Sequence, residues 1–303
     1  MSKAFTPRRV EALSPRIRQT VEELLGAVQN IGRMDVIRDL AFPLPSTVIA
    51  ELLGVPPEDG DQFRHWSSDI VGISGLIIDP GRAVQAQKSV LALMDYFREI
   101  VAQRRKAPRD DLISDMIAAD DQGKFLSDEE LLSNCVLLLE AGHETTTNLI
   151  GNGLLALLRH SDQLQTLQDD PSLIRTAIEE LLRYDSPVQI TARVATEDLE
   201  IGDKRVSAGD MAILVLGAAN RDPAQFPNPT TLDLSRRENR HLSFGQGIHY
   251  CLGAPLARLE GQIAINTVLR RCPGLALTGE PLEWRQAVSL RGLIALPVTF
   301  EVW

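Results

Sequence analysis

One long helical pattern, from residue 128 to about residue 160, most constrains the fold of this chain. Residues 127–130 (SDEE) form an S-x-x-E capping box, which predicts that a helix starts there. Apolar residues then recur at spacings of three and four as far as His160. At 1.5 Å per residue, this helix is a rod of roughly 45 Å. We therefore expect a helix that runs through the centre of a large domain.

The rest of the sequence predicts a mainly α fold with small β-sheets. Glu140, His143 and Glu144 interrupt the apolar run of the long helix, so it is not expected to span a membrane. Helical spacing also occurs at 15–25 and 82–105, and strand-like runs occur at 211–219 and 293–303. We expect residues 1–303 to form a single domain.

The composition excludes several classes of partner. The 303 residues are 44% hydrophobic, and 31 Lys and Arg stand against 41 Asp and Glu, giving a net charge of −10. An acidic chain is not expected to bind nucleic acid or an anionic membrane as its general partner. The N-terminal residues contain no signal-peptide pattern, so a cytoplasmic location is expected.

A polar cluster lies in the middle of the long helix, in residues 141–147 (AGHETTT). Buried polar groups are costly unless they are paired, so the cluster should have a purpose. If the Thr145 hydroxyl bonds to the carbonyl of Ala141, the helix opens locally and a groove forms beside Gly142. This groove could hold water or a small polar ligand, with Glu144 and Thr145 managing protons. A solvated face or a helix contact is an equally weighted alternative.

Only one of the three cysteines lies in an unusual setting. Their odd number and wide spacing do not make a disulfide framework or a zinc site. Cys135 and Cys272 are expected to be core residues. Cys251 instead lies in residues 241–253 (HLSFGQGIHYCLG), among glycines that permit close backbone approach and just before a predicted helix. A single thiolate there suits an axial ligand of haem iron better than zinc or an iron–sulfur cluster.

These residues carry a family resemblance. The pattern F-G-x-G-x-H-x-C-x-G-x-x-L-A-R-x-E from Phe244 to Glu260 resembles the haem-ligand loop of the cytochrome P450 family in its soluble bacterial form. Residues 141–146 resemble the oxygen-activation groove of that family, and residues 218–229 resemble its proline-rich meander. Glu180 and Arg183 match its E-x-x-R motif, although alone they would be read as a surface ion pair worth under about 1 kcal/mol.

The resemblance implies a role for each matching position. Cys251 would be the proximal thiolate and metal ligand, while Glu144 and Thr145 would be the catalytic pair that handles protons. His249 and Arg193 would bind the haem propionates, and Arg236 would join Glu180 and Arg183 in a buried network. His143 falls at a variable position and receives no ligand role. The cofactor-binding set is Cys251, His249, Arg193, Phe244, Gly245, Gly253 and Ala141.

The implied function is a monomeric haem-thiolate monooxygenase that inserts one oxygen atom of O2 into a lipophilic small molecule, by hydroxylation or epoxidation. Its cofactor would be haem b, with electrons from NAD(P)H relayed by a ferredoxin and ferredoxin reductase. A basic face would dock the ferredoxin, and the pocket walls would come from 67–76, 138–142, 188–191 and 289–293. The arginines of that face are Arg236, Arg237, Arg240 and Arg258.

Two other functions are considered. A haem peroxygenase would use hydrogen peroxide, whereas the Glu144 and Thr145 pair favours O2. A non-catalytic family member would act as a partner protein or be an inactive fragment. Members of the family are longer at the front, so we expect an amino-truncated P450 fold that exposes a sheet edge near 211–219 and binds haem weakly or not at all.

Overall fold

The computed structural model describes Phe5 and residues 7–71, 79–119 and 127–302, and these residues are mostly helical. Buried apolar side chains from both ends of the chain join in one connected core. The α-helices are α1 (Pro7–Ala12), α2 (Ser14–Gly26), α3 (Pro43–Leu52), α4 (Gly60–Val71), α5 (Pro80–Lys106), α6 (Leu112–Ala119), α7 (Asp128–Arg159), α8 (Ser161–Asp169), α9 (Ile174–Tyr184), α10 (Leu216–Ala219) and α11 (Ala254–Arg271).

Helix α7 is the long helix predicted from the sequence, and its start is confirmed. The Ser127 hydroxyl accepts a hydrogen bond from the backbone N–H of Glu130 at 3.2 Å, and the Glu130 carboxylate accepts one from the backbone N–H of Ser127 at 2.7 Å. These two bonds satisfy N–H groups that the first turn of a helix leaves free. From there α7 contacts α3, α4, α5, α9 and α11, so it runs through the middle of the helical layer.

Replacing Ser127 with alanine is expected to lower the free energy of unfolding by about 1 kcal/mol, because the cap bond is lost. Chemical denaturation measures the change. Ser133→Ala is the matched control, since Ser133 is exposed inside the same helix. There the substitution improves helix propensity and should raise the free energy of unfolding by less than about 0.7 kcal/mol. Equal losses in both variants would show that the cap contributes nothing.

Glycines allow α7 to approach its neighbours closely. A Cβ atom at Gly142 would lie 3.0 Å from Ile49 of α3. Gly261 of α11 faces Leu149 of α7 in the same way, with a Cβ distance of 3.0 Å. Because real Cβ contacts are rarely this short, both positions favour glycine for packing. Helices α3 and α11 therefore pack tightly against α7, near Gly142 and near Leu149 respectively.

In the described part of the chain, the strands form three small antiparallel sheets. In the first, the order is β1–β7–β6, with Met34 opposite Val298. In the second, β2 pairs with β5, and Arg193 lies opposite Ala212. The third is a hairpin of β3 and β4 around Gly202. The strands are β1 (Arg33–Asp35), β2 (Ile190–Val194), β3 (Leu199–Ile201), β4 (Lys204–Val206), β5 (Met211–Val215), β6 (Ala276–Leu277) and β7 (Pro297–Thr299).

The strand-like runs predicted from the sequence are shorter in the structure. The run 211–219 is strand only as far as Val215 and then turns into α10, and the run 293–303 contributes strand only over β7. Within the described residues β5 pairs only with β2, and large apolar side chains of this sheet are exposed, including Val194 at 59% and Met211 at 67%. The expected exposed edge near 211–219 is therefore present.

None of the helices in the described part of the chain has an apolar stretch long enough to cross a membrane. This agrees with the position of Glu144 within α7, where a carboxylate interrupts the apolar residues.

Candidate active site

A loop of glycines presents Cys251 at the start of α11. The backbone N–H of Cys251 donates to the carbonyl of Phe244 at 2.9 Å and closes the loop. Gly245 and Gly247 have φ of +71° and +70°, which is the left-handed region that favours glycine. Gly253 differs from the expectation, because its φ is −82° and it serves as the residue before α11. The conformational need for glycine is thus confirmed at two of the three positions.

The Cys251 thiol is held by the first turn of α11. Backbone N–H groups of Gly253 and Ala254 donate to its sulfur, and Arg258 lies close enough to act on it by charge. Burial raises the pKa of the thiol above its ordinary value, while the two N–H groups and Arg258 lower it. The helix start therefore favours the thiolate form against the cost of burial, as the sequence predicted.

The far side of the loop is open. A Cβ atom built at Gly247 or Gly253 would meet nothing within 4 Å, and Ile248 is 98% exposed. His249 is also exposed. Arg193 is exposed on β2, where its guanidinium donates to the Thr191 hydroxyl at 3.1 Å and the Ala192 carbonyl at 2.7 Å. The described contacts do not bring Arg193 and His249 together.

Behind the loop lies a charge cluster that the sequence analysis missed. Arg258 makes two hydrogen bonds to Glu179, at 2.7 and 2.8 Å, and its guanidinium stacks on the Phe244 ring at 4.4 Å. His241 contacts Glu179 at 3.0 Å. Burial opposes the ionised form of Glu179, but the bonds from His241 and Arg258 lower its pKa to about 2. Glu179 therefore fixes Arg258 of α11, in the part of the helix that follows the cysteine loop.

The bond expected in the middle of α7 is present. The Thr145 hydroxyl donates to the Ala141 carbonyl at 3.1 Å, and Ala141 is exposed. The predicted groove beside Gly142 needs correction, because that side of the helix is filled by Ile49. The open side of α7 is the side of Ala141 and Thr145. One side of the polar cluster is thus a helix contact and another is an open face. These are the two forms of the alternative that the sequence offered to a groove.

Glu144 is buried beside Thr145 and faces a cation. Its carboxylate lies 3.3 Å from the guanidinium of Arg285. Burial raises the pKa of Glu144, and the charge of Arg285 and the nearby Asn148 amide work against that rise. The sequence analysis did not find Arg285, because it is distant in the chain and belongs to no motif.

His143 has a structural position. One ring nitrogen contacts the Ser67 hydroxyl of α4 at 2.9 Å, the other contacts the Leu139 carbonyl at 2.9 Å, and the ring packs edge-on against Phe42. Burial lowers the pKa of His143, which favours the neutral ring. His143 therefore joins α4 to α7.

The E-x-x-R pair is completely buried and not a surface pair. Arg183 donates to Glu180 at 2.7 and 2.8 Å and to the carbonyls of Asn220, Pro229 and Thr231. Arg236 donates to Glu180 at 3.0 Å, as expected. Asn239 also donates to Glu180, at 3.1 Å. This network ties the irregular chain from 220 to 239 to α9.

Comparison with known proteins assigns the fold and the family. The cytochrome P450 family model matches residues 76–280. The biotin biosynthesis cytochrome P450 of Bacillus subtilis (strain 168) is 47% identical over 302 residues, which are 99% of this chain and 76% of that protein. The 6-deoxyerythronolide B hydroxylase of Saccharopolyspora erythraea is 43% identical, and the match covers 99% of this chain and 74% of the hydroxylase.

The crystal structure of P450BioI in complex with an acyl carrier protein ligated to hexadec-9Z-enoic acid superposes with a TM-score of 0.94. The two sequences are 47% identical, and the match covers 99% of this chain and 77% of that chain. The P450 fold predicted from the cysteine loop is therefore confirmed, and this chain spans about three quarters of such relatives. With a family match over more than half of its length, the chain belongs to the cytochrome P450 family, whose members are haem-binding monooxygenases.

Proposed function

We propose that this chain is a haem-thiolate monooxygenase in which Cys251 ligates the iron of haem b and O2 is the co-substrate. The observation that carries the proposal is the position of the Cys251 sulfur, which receives two backbone N–H groups at the start of α11 on an open glycine loop. When bound, the haem supplies the redox chemistry that activates O2.

The residues around Cys251 fit this cofactor. A flat macrocycle needs open space on one side of the ligand and apolar surface around it. Space lies beside Gly247 and Gly253, and apolar surface is exposed at Ile248. A soft thiolate is the donor that haem iron accepts from a single cysteine. Phe244 and Gly245 would form the base of the site, and Ala141 would line it from α7.

Two cations are proposed to bind the haem propionates. Arg193 and His249 are exposed, and the Arg193 guanidinium donates to neutral groups of β2. Exchanging such contacts for a carboxylate gains charge-assisted hydrogen bonds.

Glu144 and Thr145 are proposed to hold and transfer protons beside the open face of α7 at Ala141. The Thr145 hydroxyl donates to the Ala141 carbonyl, so its oxygen remains available to accept a hydrogen bond from water. Burial favours the protonated form of Glu144. A carboxyl whose pKa is raised holds its proton to a higher pH than a free carboxyl does, and such a group is suited to donate that proton.

Electrons are proposed to come from NAD(P)H through a ferredoxin and its reductase. The basic face suggested by the sequence is smaller than expected, because Arg236 is bonded to Glu180 and Arg258 to Glu179. Arg237 and Arg240 remain exposed on this side of the molecule, and they are the residues we propose to meet an acidic partner.

The substrate is proposed to be a lipophilic molecule such as a fatty acyl chain, a polyketide or a terpenoid. Two of the expected wall segments lie side by side, since Val188 and Leu290 form a β-bridge and the Gln189 N–H donates to the Ser289 carbonyl at 2.8 Å. The relatives named as a biotin biosynthesis cytochrome P450 and as a 6-deoxyerythronolide B hydroxylase, and the complex with a fatty-acid-ligated acyl carrier protein, support this class.

The test is an absorption spectrum of the purified chain with one equivalent of haem, reduced with dithionite and exposed to carbon monoxide. Because weak haem binding is expected, only a fraction of the chain should take up haem, and in that fraction we expect a Soret band strongly shifted to the red, which indicates a thiolate ligand. Cys251→Ser should lose this band completely, while Cys272→Ser should keep it, because Cys272 is buried at the end of α11.

Two outcomes would contradict the proposal. Haem bound without the shifted band, or with the band retained in Cys251→Ser, would mean that another residue ligates the iron. A chain that binds no haem would instead favour the non-catalytic alternative, for which the exposed apolar face of the β2–β5 sheet offers a surface. If the band forms, comparing turnover with hydrogen peroxide and with a ferredoxin system separates peroxygenase from monooxygenase.

A further inference from the structure

A row of buried polar side chains follows one face of α7. Glu144, Asn148 and Asn152 are spaced by four residues, so they lie above one another on the helix. They are 2%, 0% and 2% exposed. Both carboxylate oxygens of Glu144, both polar atoms of the Asn148 amide and the amide oxygen of Asn152 have no hydrogen bond of normal geometry among the described residues. The Asn148 amide nevertheless lies near enough to Glu144 to lower its pKa.

The same face is covered by one C-terminal segment, residues 284–293. Trp284 and Leu293 form a β-bridge, and the Arg285 N–H donates to the Gly292 carbonyl at 2.9 Å, so the segment is a hairpin. Its Arg285 side chain reaches Glu144, and the Asn152 amide donates to the Arg291 carbonyl at 2.9 Å.

Gly292 of this hairpin lies directly on Asn148. A Cβ atom at position 292 would collide with the Asn148 side-chain oxygen, so the hairpin backbone and the amide are in close contact. The hairpin and the polar row therefore form one interface, with a charged contact at Glu144 and a neutral one at Asn152.

An unpaired buried polar group costs about 1–3 kcal/mol, and this row contains several in succession. Proteins satisfy such groups with bound water, which makes two to four hydrogen bonds to its surroundings. Arg285 contacts Glu144 and also reaches solvent, with its side chain 32% exposed. The interface is thus buried at the polar row of α7 and open to solvent at the Arg285 side chain of the hairpin.

We propose that Glu144, Asn148 and Asn152 bind a row of water molecules under this hairpin, and that Arg285 is the positioning residue that holds Glu144 toward it. A proton that leaves Glu144 is then replaced from solvent through the hairpin side. The use of that proton at Thr145 rests on the proposed function, whereas the water site and the role of Arg285 do not.

The charges that face Glu144 support this role for Arg285. Glu140, one turn earlier on α7, is also partly buried, and the charge of Glu144 raises its pKa. Arg285 lowers the pKa of both Glu144 and the buried His143. Arg285 is therefore the cation that faces these carboxyl groups, and its charge opposes the rise in the pKa of Glu144 that burial causes.

The first test follows the protonated carboxyl of Glu144 by infrared spectroscopy of the haem-free chain during a pH titration. Subtracting the spectrum of the same protein with Glu144→Gln isolates its band. We expect Arg285→Leu to move the titration midpoint of Glu144 upward, and Arg285→Lys to keep it near the wild-type position, because lysine restores the charge.

Arg291→Leu is the matched control. It removes an equal charge from the same hairpin, but the Arg291 side chain pairs with Asp185 and stacks on Trp284, away from Glu144. It should leave the midpoint of Glu144 in place. An unmoved midpoint in Arg285→Leu, or the same shift in Arg291→Leu, overturns the role of Arg285.

The second test is a crystal structure of the unsubstituted haem-free chain at a resolution that shows ordered water. We expect at least one water molecule within hydrogen-bond distance of the Asn148 amide, with a further one reaching Glu144 or Asn152. An Asn148 amide bonded only to protein groups overturns the water site. Neither measurement uses haem, so its result is independent of the carbon monoxide spectrum.

Discussion

Replacing Glu180 with glutamine is expected to lower the free energy of unfolding by about 3–5 kcal/mol, because it leaves the Arg183 guanidinium buried without its counter-charge. Glu180 and Arg183 side chains are both 0% exposed, and Arg236 would lose its partner too. Urea denaturation followed by circular dichroism gives the free energy. The neutral amide keeps the shape of the side chain, so the loss reports charge and not a cavity.

The control for Glu180→Gln is Glu22→Gln. Glu22 pairs with Arg270 and Arg271, and its side chain is 37% exposed. Exposed pairs contribute less than about 1 kcal/mol, so this variant should be nearly as stable as the unsubstituted chain. A similar loss of unfolding free energy in the two variants would show that the contribution of the E-x-x-R pair to stability does not depend on its burial.

Replacing Glu260 with glutamine is expected to stabilise the protein by several kcal/mol at pH 9 and to have little effect at pH 4. Glu260 lies in α11, is 1% exposed, and has no hydrogen-bond partner for its carboxylate oxygens among the described residues. Burial raises the pKa of Glu260 to about 8, although the nearby Thr146 hydroxyl acts in the opposite direction.

Proton binding decides whether the free energy of unfolding rises or falls with pH. In the unfolded chain a glutamate has a pKa of about 4.3, so between about pH 4 and pH 8 the folded chain binds the proton and the unfolded chain does not. The contribution of Glu260 to stability is therefore complete below about pH 4 and is lost as pH rises to about 8. At 1.36 kcal/mol per pKa unit, the loss is on the order of 3–5 kcal/mol.

Unfolding free energies measured from pH 4 to pH 9 test this prediction. The Glu260→Gln curve should stay flatter than that of the unsubstituted chain over this range. Glu129→Gln, on the exposed first turn of α7, serves as the control and should follow the unsubstituted curve. Parallel curves for Glu260→Gln and the unsubstituted chain would mean that Glu260 is ionised in the fold.

The parts of the site that depend on neighbouring residues could be predicted from the sequence. The start of α7 follows from the Ser127 and Glu130 cap, and the Thr145 bond to Ala141 follows from a spacing of four residues on a helix. The cysteine loop is equally local, because glycine at 245 and 247 allows the left-handed backbone that carries Cys251 to α11.

The contacts between distant parts of the chain could not be predicted in this way. Glu179 and Arg258 are in contact although they are 79 residues apart in the chain. Glu144 of α7 likewise contacts Arg285, which lies in the C-terminal part of the chain. A charged residue on a helix is usually solvated, and its spacing gives no sign of a partner from another element. The burial of Glu260 is a further example, since its sequence neighbours fit an exposed position equally well.

The contact of Gly142 with Ile49 makes two helices share one small volume. A side chain added at position 142 has no room unless the side chain at position 49 becomes shorter, because a packed interior does not absorb even one extra methyl group without displacement. The centre of α7 and the middle of α3 are therefore free to change only as a pair, and a methyl group gained at one position has to be given up at the other.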